Sequence, residues 1–187
     1  MSMDSWKSII TPFDETVARS LRAGDHVRLS GVLFTARDKA HERIGRILKE
    51  GGKLPFDLKD QVLYYVGPSP APPGRIVGAA GPTTSSRMDP ATEMMLKLGV
   101  RGFIGKGKRS DHVISLLGQY GAVYFGTYGG AAVYLSRCIT SSRLVAFEDL
   151  GPEAVYRFEV KDFPAIVVND TEGGDTYEAA IRRSVRL

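Results

Sequence analysis

The stretch Gly81–Pro90, GPTTSSRMDP, sets four hydroxyls in a row and follows them with an arginine. Adjacent hydroxyls add little to a core. They donate hydrogen bonds in several directions, which suits an oxygen-rich anion, and an arginine beside them adds a planar fork that matches a carboxylate. Two other segments share this character. Thr35–Asp38, TARD, places Arg37 between a strand-like run and a helix-like one, and Gly105–Arg109, GKGKR, places Lys106 between two glycines. In α/β sheets, ligands bind beyond the carboxyl ends of strands, where helix N-termini present free N–H groups. If the three loops converge, Arg37, Thr83, Thr84, Arg87 and Lys106 form a site for a dianion. His41 lies one helical turn after Arg37 and on the same face, where it can relay a proton.

Each of these residues also has a plainer reading. Thr83–Ser86 are good helix caps. Arg37 and Asp38 can form a surface ion pair. His41 can be a core or solvated histidine. GKG lacks the upstream glycine spacing of a P-loop. Cys138, after the apolar Tyr134 and Leu135, reads as a packed thiol.

The elements that must position these residues follow from the periodicity. Asp14 caps a short helix through Leu21. His26–Ala36 reads as a strand pair or one long strand with Gly31 as a bulge. Arg37–Glu50 is an amphipathic helix with Ala40, Ile44, Ile47 and Leu48 on one face, ended by Gly51 and Gly52. Gln61–Gly67 is a buried strand and Pro68–Arg75 an extended, proline-rich loop. Ile76–Gly81 reads as a short strand. Asp89–Gly99 is a helix with Asp89 as its cap and Pro90 at its first position. Strand, helix, strand, helix, strand then follow from Val100 to Gly151. Ala154–Asp170 offers two strands around Pro164, and the polar tail is helical. Strands alternating with helices argue for a parallel sheet, and the strand-rich ends for a second, mixed or antiparallel sheet. The expected architecture is α/β: a three-layer β/β/α domain with a mixed, partly parallel sheet.

Composition bounds the rest. A length of 187 residues, 43% of them hydrophobic, suits a single domain over residues 1–187 with a real core. The net charge of +4 is mild, and no aromatic RNA-binding motif, zinc spacing or heptad accompanies it, so no nucleic-acid partner is expected. The single cysteine excludes an internal disulfide, a CxxC pair and an iron–sulfur cluster held by this chain alone. With three histidines, metal ligation has little support. The N-terminus lacks the apolar segment of a signal peptide, so a cytoplasmic location is expected. Val113–Ser136 is uncharged and long enough to span a bilayer. Its glycines punctuate it as helix, turn, strand, turn and helix, so no membrane span is expected.

Taken together, GDHVRLSGVLFTARDKAHER, VLYYVGPSP, GPTTSSRMD, GFIGKG, GGAA and EAVYRFEVKDFPAIVVND resemble the β subunit, or C-terminal domain, of iron–sulfur-dependent class I fumarases and L-tartrate dehydratases. The resemblance runs nearly the whole length. A glycine pair in EGGDTY replaces the GN expected there, away from the anion loops. The resemblance implies the swivelling β/β/α fold and a β subunit that works with a cluster-bearing α subunit, in an α2β2 assembly. The partner's cysteines would hold a 4Fe–4S cluster whose open iron acts as a Lewis acid on the substrate hydroxyl. Matched motif to motif, Arg37, Thr84, Arg87 and Lys106 would clamp the carboxylates of a small dicarboxylate. Thr83 would sit where the C3 proton is removed, and His41 matches a histidine sometimes assigned to the active site. A threonine alkoxide is costly at neutral pH and needs strong cationic support. His41 is the easier base by intrinsic pKa. The implied reaction is reversible hydration of fumarate to malate. Tartrate dehydration is the close alternative, and a stand-alone dicarboxylate-binding module the alternative of another class.

Overall fold

The structure is a computed structural model that describes residues 6–184. Residues 1–5, part of the segment read above for a signal peptide, and 185–187, the end of the polar tail, lie outside the described residues. Seven strands form one sheet: β1 (Lys7–Thr11), β2 (His26–Thr35), β3 (Val62–Tyr64), β4 (Gly102–Gly105), β5 (Val123–Gly126), β6 (Ile139–Ala146) and β7 (Val155–Asn169). β1 to β5 run parallel in chain order. β7 is antiparallel to β5, to β6 and to β2. Because β2 pairs with β3 along one edge and β7 along the other, the strands β2-β3-β4-β5-β7 close into a ring.

Closure divides the interior in two. Along β3, β4 and β5, side chains alternate between faces. Val62, Tyr64, Ile104, Val123 and Phe125 point into the ring, where they meet Leu29, Leu33, Phe158, Phe163 and Val167 from β2 and β7. Leu63, Phe103 and Tyr124 point outward, onto α2 (Asp38–Lys49), α3 (Asp89–Lys97) and α4 (Asp111–Tyr120), which contribute Ala40, Ile44, Met95, Leu96, Val113 and Leu117. Strand layer, strand layer and helix layer are therefore the β/β/α arrangement. The short helices α1 (Glu15–Ser20) and α5 (Ala132–Arg137) place Ala18 and Leu135 against the inner core. α6 (Thr176–Ser184) is the helical tail.

Several sequence expectations hold. Asp14 caps α1 by accepting the Val17 N–H at 3.0 Å. β2 is one long strand with a register shift between Leu29 and Gly31. The segment 113–136 divides into α4, β5 and α5, and no helix among the described residues is long and apolar enough to cross a membrane. Others are corrected. The second sheet is not separate, because β7 joins the parallel strands edge to edge. Ala154–Asp170 gives one strand, with Pro164 opposite Arg28 in the ladder. A proline removes a single donor there, and the flanking pairs carry the register through it. Ile76–Gly81 is irregular: its polar groups are met by Ser69 and Ala132 rather than by a ladder. Asp89 does not cap α3. A 3-10 turn, Ser85–Met88, leads straight into the helix, which frees that carboxylate for another task.

The inner core should dominate stability. Phe125→Ala, at a fully buried position, is expected to cost about 3–5 kcal/mol. Ile10→Ala, on an edge strand and 69% exposed, should stay within about 0.5 kcal/mol. Urea unfolding of both variants provides the comparison.

Candidate functional site

The carboxyl ends of β2, β3 and β4 lie side by side; β2 runs into the Arg37 loop and β4 into the Lys106 loop, while the hydroxyl run returns to the end of β3 after a long irregular stretch. At the end of β2, Thr35 is buried and pinned: its Oγ1 donates to Ala154 O at 3.2 Å and accepts the Tyr156 N–H at 2.9 Å. That fixes the chain just before Arg37, the residue preceding α2. Arg37 leans over Gly67, at the end of the β3 segment, where a Cβ would come within 2.6 Å of Nη1.

The hydroxyl run is inserted between the ends of β3 and β4. Thr83 N–H donates to Tyr65 O at 2.7 Å. Lys106 N–H donates to Thr83 O at 3.2 Å, and Ser85 N–H to Lys106 O at 2.9 Å. Thr84 and Lys106 thus form a parallel bridge, an extra rung above the sheet. The four hydroxyls are not equivalent. Ser85 is fully buried and donates to Tyr124 Oη at 2.9 Å, while Tyr124 donates onward to Gly107 O at 2.8 Å. A Cβ at Gly105 would overlap Ser85 Oγ, so only glycine admits this inward serine. The side chains of Thr83 and Thr84 make no hydrogen bond among the described residues.

Charge gathers beside this rung. Arg87 Nη2 donates to Asp38 Oδ2 at 2.9 Å. Arg37 Nη2 lies 4.0 Å from the same oxygen and 3.8 Å from Glu153 Oε1, and its Nε is buried without a partner. Two arginines therefore share one carboxylate. Lys106 is exposed and forms no ion pair among the described residues. Its stem passes close to Gly129, so the Gly129–Gly130 turn borders the site. Arg37, Thr83, Thr84, Arg87 and Lys106 accordingly occupy one rim of the molecule.

His41 occupies a different level. It faces inward from α2, its ring edge-on to Tyr65 at 5.8 Å between centroids, and neither nitrogen has a hydrogen-bond partner. A groove of about 680 Å³ between α2 and α3 starts at Asp38 and Arg87 and passes His41 and Met94. Burial pushes the imidazole from 6.5 down to about 4, with Asp38 opposing the shift and Arg109 adding to it. His41 is thus neutral at physiological pH.

Sequence reasoning placed Asp38 only beside Arg37, not with Arg87, and passed over Glu153, Ser85 as an anchor, and above all Arg109. Asp38 had a signal, as the neighbour of Arg37. Glu153 arrives from more than a hundred residues away, and no local pattern announces it. Arg109 sits in a basic loop that reads as solvated, yet its side chain is 0% exposed.

The buried imidazole has a consequence for acid stability. Below about pH 6.5 the unfolded chain takes a proton on His41, whereas the folded chain resists until about pH 4. Stability from this group is full above 6.5 and is lost as pH falls through that window, by on the order of 3 kcal/mol. His41→Leu should flatten this part of the profile. Urea midpoints at pH 7 and pH 4.5 are the measure, and an equal drop in wild type and variant would clear His41 of the effect.

The sequence matches the Fumarase C-terminus family over residues 9–180. Among curated relatives, it is 40% identical to "Fumarate hydratase 1, mitochondrial" of Leishmania major, over 80% of this chain and 28% of that protein. It is 34% identical to "Fumarate hydratase class I, anaerobic" of Escherichia coli, over 92% of this chain and 32% of the relative. A third relative, "Putative L(+)-tartrate dehydratase subunit beta" of Methanocaldococcus jannaschii, is 38% identical over 86% of this chain and 85% of its own length. The chain thus spans about a third or less of these two fumarate hydratases but most of the tartrate dehydratase subunit. With all three strand-end loops inside the matched region, the chain belongs to the Fumarase C-terminus family.

Proposed function

We propose that this chain is the β-type part of a hydro-lyase that interconverts fumarate and malate. It works with a second, α-type chain, in an α2β2 assembly in the cytoplasm, and folds as one domain over its length. The observation that supports this best is the rim itself. Three cations, Arg37, Arg87 and Lys106, stand beyond neighbouring parallel strands, with two uncommitted threonine hydroxyls between them. Arg37 and Arg87 suit one carboxylate of a small dicarboxylate. Lys106 and Thr84 suit the other.

The 4Fe–4S cluster of this reading belongs to the partner. The described residues contain no group of three or more His, Cys, Asp or Glu placed to share a metal ion, and Cys138 is the sole cysteine. The residues present do not fit a cluster site. This chain's part in the chemistry is to hold carboxylates and move a proton.

For the proton, Thr83 is the first candidate. Its backbone is held on both sides by Tyr65 and Lys106, and its hydroxyl is free to meet C3 of a substrate. Cations beside it would stabilise the oxyanion that a threonine base must become. His41 is the second candidate. It is neutral and so able to accept a proton, but no hydrogen bond joins it to Thr83 among the described residues. A relay through it needs a bridge.

Tartrate dehydration is the second reading, favoured by the relative whose length this chain nearly spans. A rate comparison of the two substrates with the reconstituted pair separates them. Hydratase activity should appear only on anaerobic mixing with a cluster-bearing partner. Dicarboxylate affinity in the chain alone, with no activity in any pairing, would instead indicate a stand-alone binding module.

Two substitutions separate binding from proton transfer in the reconstituted complex. Arg87→Lys keeps the charge and loses the fork, so it should raise KM, at a cost of roughly 1.5–3 kcal/mol. Thr83→Val should lower kcat by on the order of a hundredfold with little change in KM, if Thr83 is the base. His41→Asn should slow turnover less. Near-wild-type kcat in Thr83→Val with collapse in His41→Asn would move the base to His41.

A further inference from the structure

Arg109 is the largest fully buried side chain among the described residues, and a buried guanidinium is costly unless it is fully paired. Its Nε donates to Asp89 Oδ1 at 2.7 Å and its Nη2 to Thr92 Oγ1 at 2.5 Å, while its Nη1 is buried with no hydrogen-bond partner among the described residues. The guanidinium is also surrounded by the rings of Tyr124, Tyr65 and Phe103, at 5.1, 5.5 and 5.8 Å from their centroids. Stability alone is a weak reason to keep such a charge, since apolar replacement of a buried ion pair is often neutral or better.

The neighbours of Arg109 suggest what it does. Tyr65 is the residue whose carbonyl holds the Thr83 N–H. Tyr124 takes the Ser85 hydroxyl and donates to Gly107 O. Asp89 directly follows the turn that carries Arg87, and its second oxygen accepts the Ser110 N–H at 2.9 Å. Apart from the Phe103 ring, the groups that Arg109 touches belong to, or fasten, one of two segments: 83–89, with Thr83, Thr84 and Arg87, which Thr92 also holds through Met88 O, or 106–110, with Lys106.

We infer that Arg109 is a positioning residue, which from beneath the rim fixes the hydroxyl turn and the Lys106 loop in register with each other. It touches no substrate. Its catalytic consequence rests on the proposed hydro-lyase reading, whereas its effect on the seam between the loops does not.

The test uses the full chain with Arg109→Met combined with Asp89→Asn, which removes both charges, and with Arg109→Lys, which keeps the charge and loses the fork. The first readout is amide hydrogen exchange at Ser85 and Lys106, whose N–H groups form the seam. In the double variant these two amides should exchange at least about tenfold faster, while Phe103 and Val123 keep their protection. Arg109→Lys should fall between. The second readout is kcat in the reconstituted complex, which should drop about tenfold or more with the thermal midpoint shifted by only a few degrees. Unchanged exchange at Ser85 and Lys106 in a folded variant overturns the inference, as does unchanged kcat. If the double variant fails to fold, Arg109→Lys decides on the same two amides. A wild-type complex inactive on both fumarate and tartrate would sink the functional reading, and the exchange result would still decide the role of Arg109.

Discussion

The pairing of β2 with β7 is the constraint on which the rest of the molecule depends. β2 is ten residues long and β7 fifteen. Such strands reach past the short parallel ones and can meet each other while also holding β3 and β5. Once they meet, the sheet has an inside. Each of β3, β4 and β5 then faces apolar surroundings on both sides, which is why Val62–Tyr65 and Phe103–Ile104 read as unbroken apolar runs. The longer helices α2, α3 and α4 pack on the outer face, and their N-termini gather at the carboxyl ends of the strands. The rim with Arg37, Arg87 and Lys106 follows from that arrangement rather than from any attraction among the three cations, which repel one another.

Much of this was legible in the sequence because it is local. Helix faces, caps and strand-end loops are set by neighbours a few residues apart, and so the loops that meet at the rim could be named before their geometry was known. The long-range features were not legible. Ring closure depends on two strands more than a hundred residues apart, and each looks the same in an open sheet. Pro164 argued for a break, yet the ladder on either side of it was strong enough to continue. The division of labour within Thr83–Ser86 was hidden too, since one residue of four turns inward to a tyrosine that arrives 39 residues later. Arg109 shows the limit most clearly. Nothing in GKGKR distinguishes the lysine that faces solvent from the arginine beneath it. The distinction comes from three aromatic rings, one just past β3 and one each on β4 and β5.

Asp38 gives the rim a property of its own. In the free chain it already fills the role of a bound anion, holding Arg87 and lying near Arg37. On the proposed reading, an incoming carboxylate would enter by exchange rather than by simple capture. A monoanion trades one contact for an equivalent one and gains little. A dianion makes the same trade and brings a second charge to Lys106, which has no internal counter-ion among the described residues. A rim so proposed would count charges: its resident carboxylate would act as a toll on weakly charged visitors and as a modest one on those with two ends to offer.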